Sequence, residues 1–243
     1  MGIGRTDLAG APAVPHEPID DFSPFGIRAF TTTRAAGSFG TAGEEPVGAV
    51  MGRWSALQEW LAPSGPRFAT AGQIHGNRVV VHPAGWEGWL RVRAADGHAS
   101  AERGTGMAVT IADCVPVFVA HPAGAIALLH SGWRGTVGRI TERGIEALAH
   151  CGFPVRELHV HLGPAVCGGC YEVSPDVYAR LTGRSVDRPT RVDLRAVIAD
   201  HARAAGVRHI STSSFCTRCN NDVFFSHRAG DAGRQLGVMI ADE

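Results

Sequence analysis

Lysine is absent from this chain: all 23 of its basic residues are arginine. That bias carries no functional meaning by itself. An excess of charge of either sign is also absent, since 23 acidic residues balance the arginines to a formal net charge of zero. A neutral chain has no electrostatic reason to seek nucleic acid or an anionic membrane, and neither is expected as a partner. No apolar run approaches the roughly 18 residues that a membrane span needs. The first twenty residues, MGIGRTDLAGAPAVPHEPID, lack the apolar core of a signal peptide and, being rich in Gly, Ala and Pro, suggest a flexible tail over 1–20. The expected location is therefore the cytoplasm. Cysteine is sparse, at six residues, and in a reducing compartment these are expected as thiols or metal ligands rather than disulfides. No internal repeat and no linker interrupts residues 21–243, so a single domain is expected there.

What is present is apolar mass: 44% of the 243 residues are hydrophobic, enough for a substantial core. Period-two and β-branched stretches predict strands over 26–33, 67–75, 78–82, 107–114, 115–121, 125–130, 157–163, 208–214, 222–227 and 235–241. Helical periodicity predicts helices near 47–61 and over 136–152, 174–183 and 192–206, the last two opened by Ser174 and Asp193 and each closed by Gly. The pattern is α+β, with mixed sheets and helices outside.

Chemistry-bearing residues collect where predicted strands run out: QIHG (73–76), ADC (112–114) and HSGWRG (130–135). Strand ends are where functional side chains leave the packed core. His75, Cys114 and His130 together offer two imidazoles and a thiolate, natural zinc ligands, and three protein ligands leave one position open, as in catalytic rather than structural sites. The rival view is ordinary: a histidine at a strand end is usually a satisfied polar group, and Cys114 could be a small buried hydrophobe. The spacings of 39 and 16 residues match no local zinc pattern. Two further pairs, CGGC (167–170) and CTRC (216–219), could supply four thiolates. The 45 residues between them exceed the roughly 15–20 of common structural zinc motifs, so no second metal is expected.

The same segments resemble the YfiH-like family, described as multicopper polyphenol oxidase or laccase-domain proteins and also as purine nucleoside phosphorylases with adenosine deaminase activity. The resemblance runs from about Arg28 to Met239. Its motifs are FTTTR (30–34), QIHGNRVV (73–80), ADG (95–97), IADCVPVFVA (111–120), HSGWRGTVGRI (130–140), LGPAVCGGCYEV (162–173), AGVRHI (205–210) and CTRCNNDVFFSHRAGDAGRQLGVM (216–239). It implies an α/β/β/α sandwich and one zinc per chain, held at His75, Cys114 and His130, with copper the less favoured metal. It also implies cleavage of adenosine, inosine, guanosine or methylthioadenosine with phosphate. The chain departs from the family over 35–54 (AAGSFGTAGEEPVGAVMGRW): a Ser-Leu-Asn-Leu-Gly segment is missing, and a later Asn-Arg pair is reduced to Gly52-Arg53. That change bears on substrate identity more than on metal binding.

Within this frame, zinc would lower the pKa of a bound water toward about 7 for attack on adenine, with Asp113 as the proton shuttle or, alternatively, as a carboxylate that orients a ligand. Arg34, Arg134 and Arg228 are candidates for phosphate, because the guanidinium fork matches its oxygens; structural ion pairs are the alternative. Gln73 and Phe225 could hold and stack a base. Two other chemistries stay open. One is copper-dependent phenol oxidation, although the only His-x-His pair is His159 and His161. The other is amide hydrolysis of peptidoglycan precursors, with Cys114 as nucleophile and His75 or His130 as base.

Overall fold

The computed structural model describes residues 14–43 and 45–243; most of the expected N-terminal tail lies outside the described residues. Two six-stranded mixed sheets carry the fold. The first runs, edge to edge, β1 (His16–Pro18), β2 (Ile27–Thr32), β14 (Gln235–Ala241), β7 (Thr105–Ile111), β3 (Arg67–Ala71) and β5 (Gly88–Val92). The second runs β13 (His209–Thr212), β10 (His159–Leu162), β8 (Val115–Ala120), β9 (Ile126–Ser131), β6 (Gly97–Ser100) and β4 (Val79–Val81). A small antiparallel pair, β11 (Glu172–Val173) and β12 (Thr190–Arg191), stands apart.

Alternation along the strands explains how the sheets stack. In β8, Val115, Val117 and Val119 face helices, whereas Phe118 and Ala120 face the first sheet. In β9, Ala127 and Leu129 face the helices, and Ile126 and Leu128 the sheet. Strands covered on both faces read as unbroken apolar runs, as here. Met107, Val109 and Ile111 of β7 answer from the opposite sheet and close an inter-sheet core. Outside the first sheet lies α1 (Val47–Leu61), whose Val50, Trp54, Leu57 and Leu61 recur at helical spacing and pack on Phe30, Phe68 and Val238. Outside the second lie α3 (Ile140–His150) and α5 (Leu194–Ala204), with α2 (Trp133–Val137) and α4 (Pro175–Thr182) beside them. The layers are helix, sheet, sheet, helix, as expected.

Several local expectations change. The helix expected over 136–152 is broken between α2 and α3, where Arg139 takes φ 63°. Asn77 wedges in at that point, donating its amide N–H to the Gly138 carbonyl at 2.6 Å. The strand expected over 222–227 does not form: Val223 and Phe224 donate their N–H groups to the Asn220 carbonyl, and Phe225 exchanges hydrogen bonds with the side-chain amide of Gln235. His16–Pro18, inside the expected tail, pairs with Phe30–Thr32 as an edge strand. β5 and β6 were not foreseen. The strands expected over 67–75 and 107–114 both stop early, at Ala71 and Ile111, and these early stops shape the site.

Candidate metal centre and cavity

The triad forms where the two sheets meet. β7 ends at Ile111, and residues 112–114 carry the chain across to the second sheet, where β8 begins. Cys114 sits in this crossover rather than at a strand end. Asp113 makes the bend with φ 81°. His75 lies four residues beyond β3, in a loop, with φ 59°. Positive φ in non-glycine residues costs free energy and persists where surrounding contacts over-determine it. His130 lies in β9 and is buried. The ligand atoms of His75, Cys114 and His130 all fall within 4.8 Å of one another. Gly132 makes this possible, because a Cβ there would sit 2.9 Å from the Cys114 sulfur.

Asp96, just before β6, locks the arrangement. One of its carboxylate oxygens accepts from the His75 backbone N–H (2.9 Å) and from His130 Nδ1 (2.9 Å); the other accepts from Gly76 N–H (2.7 Å) and Ile74 N–H (3.2 Å). Burial works against this charge, but the hydrogen bonds from His130 and the backbone outweigh it and hold the carboxyl below its usual pKa. With Nδ1 of His130 committed to Asp96, its Nε2 is the nitrogen left for a metal, the usual carboxylate–histidine support of a ligand. The donor set, its convergence and this backing fit a zinc ion with one open position. Side by side, these groups favour each other's charged forms. Burial opposes ionisation of Cys114, yet His130 brings its pKa down to about 6. Burial likewise opposes charge on His130, and Cys114 and Asp96 raise its pKa to about 9.

The triad opens into a cavity of about 1110 Å³. Arg134 and Arg228 line it, Arg134 lying over the Trp133 ring (4.4 Å) and Arg228 over that of Tyr171 (4.7 Å). Phe39, Gly40, Thr41 and Ala42 form another part of the wall, so the segment that departs from the family pattern does face the cavity. Arg53, the remnant of the Asn-Arg pair, is turned to the Ser38 carbonyl and to Glu45.

The other candidates fare differently. Arg34 does not line the cavity: it bonds Asp231 (2.7 Å) and the carbonyls of Asn221 and Phe224, and it covers the Phe225 ring. Gln73 lines the cavity, but its amide is used up on Thr110: the oxygen accepts from that residue's N–H and hydroxyl, and the nitrogen donates to its carbonyl. Asp113 accepts from the Thr217 hydroxyl (2.6 Å), the Ser226 hydroxyl (2.7 Å) and the Arg228 N–H (2.7 Å). A carboxylate so occupied ties loops together and is poorly placed to shuttle protons. Phe225 is pressed against Gly233 and is absent from the cavity lining. His159 stacks on His209, and His161 bonds Ser211, so the His-x-His pair serves the sheet edge. Sequence reasoning gave no role to Asp96; its only signal was the ADG motif.

Comparison with known proteins agrees with this architecture. A family model described as multi-copper polyphenol oxidoreductase laccase matches residues 34–242. A purine nucleoside phosphorylase of Deinococcus radiodurans is 36% identical over 185 residues, covering 71% of this chain and 69% of that one. An adenosine deaminase from an unknown prokaryotic organism is 36% identical over 150 residues, 56% of this chain and 55% of that one. The crystal structure of a Bacillus licheniformis protein titled hypothetical protein YfiH superposes with a TM-score of 0.85 at 22% identity, covering 95% of this chain and 97% of that one. By sequence and by fold, the chain belongs to the YfiH-like, laccase-domain family.

Proposed function

We propose that this protein is a zinc-dependent purine nucleoside phosphorylase that also deaminates adenosine. The observation that carries this reading is the convergence, on one cavity, of a three-ligand site and two arginines. His75, Cys114 and His130 would hold the zinc, which would supply Lewis acidity toward the substrate. Arg134 and Arg228 hold the phosphate, their guanidinium planes fixed by Trp133 and Tyr171. Asp96 keeps His75 and His130 oriented, and Asp113 fixes the Arg228 backbone. The relatives named for phosphorolysis and deamination support both halves of this assignment.

The test is product analysis with adenosine, inosine, guanosine or methylthioadenosine, with and without phosphate. Free base and pentose phosphate that form only with phosphate, together with phosphate-independent conversion of adenosine to inosine, are expected. Oxidation of a phenol by copper-loaded protein, without nucleoside turnover, would overturn the proposal.

One observation favours a second reading. Cys114, His130 and Asp96 stand as a thiol, imidazole and carboxylate series, an arrangement suited to nucleophilic attack on an amide. Amidase activity that rises on chelation and falls on adding zinc would support it; activity unaffected by zinc would exclude it.

A further inference from the structure

The fold brings together two cysteine pairs that the sequence holds far apart. Cys167 and Cys170 lie in the loop after β10; Cys216 and Cys219 lie in the loop after β13. β10 and β13 are parallel neighbours, so both loops leave the same end of the sheet. An isolated parallel bridge between Ala165 and Cys216 extends that pairing into the loops. The four sulfurs consequently fall within 4.8 Å of one another, with Cys170 Sγ and Cys219 Sγ 3.5 Å apart. Four thiolates at about 2.3 Å from a tetrahedral zinc stand about 3.8 Å from each other, so the cluster needs only small adjustment to hold one.

We propose that these four cysteines form a second, structural zinc site, in which the thiols give up their protons as the four Zn–S bonds form. The backbone is arranged for it. In each CxxC the first cysteine's carbonyl accepts from a residue three or four positions on: Cys170 and Tyr171 donate to Cys167, and Asn220 donates to Cys216. Both segments are thus tight turns that turn two sulfurs inward. The N–H groups of Cys167 (3.3 Å) and Cys219 (3.4 Å) donate to Cys216 Sγ, the kind of support that steadies a metal-bound thiolate. Gly168 lets the first turn lie against Asp193, where a Cβ would meet that residue's Cβ at 2.9 Å. A disulfide would use two sulfurs and leave the other two without a purpose, whereas one tetrahedral ion uses all four.

The site adjoins two residues of the cavity lining, Tyr171 and Arg228. The first loop leads directly to Tyr171, which supports Arg228. The second leads to Thr217, whose hydroxyl holds Asp113, and onward to Arg228 itself. A metal here staples the two loops that position Arg228 while touching none of the triad.

The experiment is metal analysis of the full chain purified under reducing conditions with Zn(II) as the only added metal. Two zinc ions per chain are expected. Cys170→Ser with Cys219→Ser removes one, and His75→Ala with His130→Ala removes the other. Because the first double variant could lose stability, maleimide labelling of the native zinc-loaded wild type gives a second measure. Only the exposed Cys151 reacts, and all six thiols react after denaturation with chelator. Replacing zinc with Co(II) adds the strong sulfur-to-metal absorption of a tetrathiolate, which the single-cysteine triad cannot produce. One zinc per chain with rapid labelling of the CxxC thiols overturns the proposal, as does a chain lighter by the two hydrogens of a disulfide between them.

Discussion

The two sulfur-containing clusters of this protein are built on opposite plans. The triad gathers one residue from the loop after β3, one from the crossover between β7 and β8 and one from β9 itself, is backed by the buried Asp96, and opens on a large cavity. The four-cysteine cluster gathers its ligands from two adjacent loops, is backed only by backbone N–H groups, and has Cys219 exposed. A site with three ligands and a carboxylate behind one of them is arranged to leave a position for substrate. A site with four thiolates has none to spare and can only hold structure. On the roles proposed here, ligand count and what stands behind the ligands, rather than residue type, distinguish a reactive centre from a staple.

The largest expected effect falls on the triad. Cys114→Ala should abolish both nucleoside reactions, remove the metal from this centre and leave the four-cysteine site loaded. Its cost in stability should be only about 1–3 kcal/mol, so circular dichroism and thermal melting should look near native. Metal retained at both sites, with full turnover, would show that Cys114 is a core residue and erase the contrast.

Next comes Asp96→Asn. It keeps the shape but removes the charge that His130 and three backbone N–H groups share. Metal affinity at the triad should weaken by roughly 10–100-fold, the usual loss when a carboxylate behind a ligand is replaced. Competition with a chelator measures it, and the four-cysteine site should release its metal as in the wild type. Equal weakening at both sites would mean that the substitution loosens the whole fold.

Arg134→Ala should act on phosphate alone. Loss of one charge-assisted contact, about 1.4 kcal/mol, lowers kcat/KM for phosphorolysis roughly tenfold. Deamination of adenosine, which needs no phosphate, should change less. Equal losses in both reactions would place Arg134 on the nucleoside instead.

The smallest effect at neutral pH is electrostatic. His98, in the strand that Asp96 precedes, is buried against His82, with 2.9 Å between their ring nitrogens. Burial and that neighbour push its pKa down to about 3. The folded chain therefore binds fewer protons than the unfolded one between about pH 6.5 and 3, and stability is lost as the pH falls through that window. The denaturation midpoint should be lower at pH 4 than at pH 7, and His98→Leu should flatten the dependence. An unchanged slope in that variant would assign the acid sensitivity elsewhere.

Much of the candidate site was legible because three short motifs each carried one of its candidate ligands. The rest was hidden by long-range pairing. Nothing local to Arg34 or Gln73 tells that Asp231, 197 residues on, or Thr110, 37 residues on, takes up their polar groups. Asp96 is 34 residues from the imidazole it supports, and its role exists only because β6 lies beside β9. The broken helix at Arg139 has the same origin, since Asn77 arrives there from a distant loop.

The sequence by itself determined the layers and which side chains could offer metal-binding atoms. Apolar alternation decides which faces of a strand or helix are buried, and the residue types of QIHG, ADC and HSGWRG decide the donor set. Only the tertiary structure decided which polar groups remain free for substrate and which sulfurs meet. A 45-residue gap argues against a four-thiolate site when only spacing along the chain is considered. Once β10 and β13 pair in parallel, their loops leave the sheet side by side, and separation along the chain ceases to measure distance.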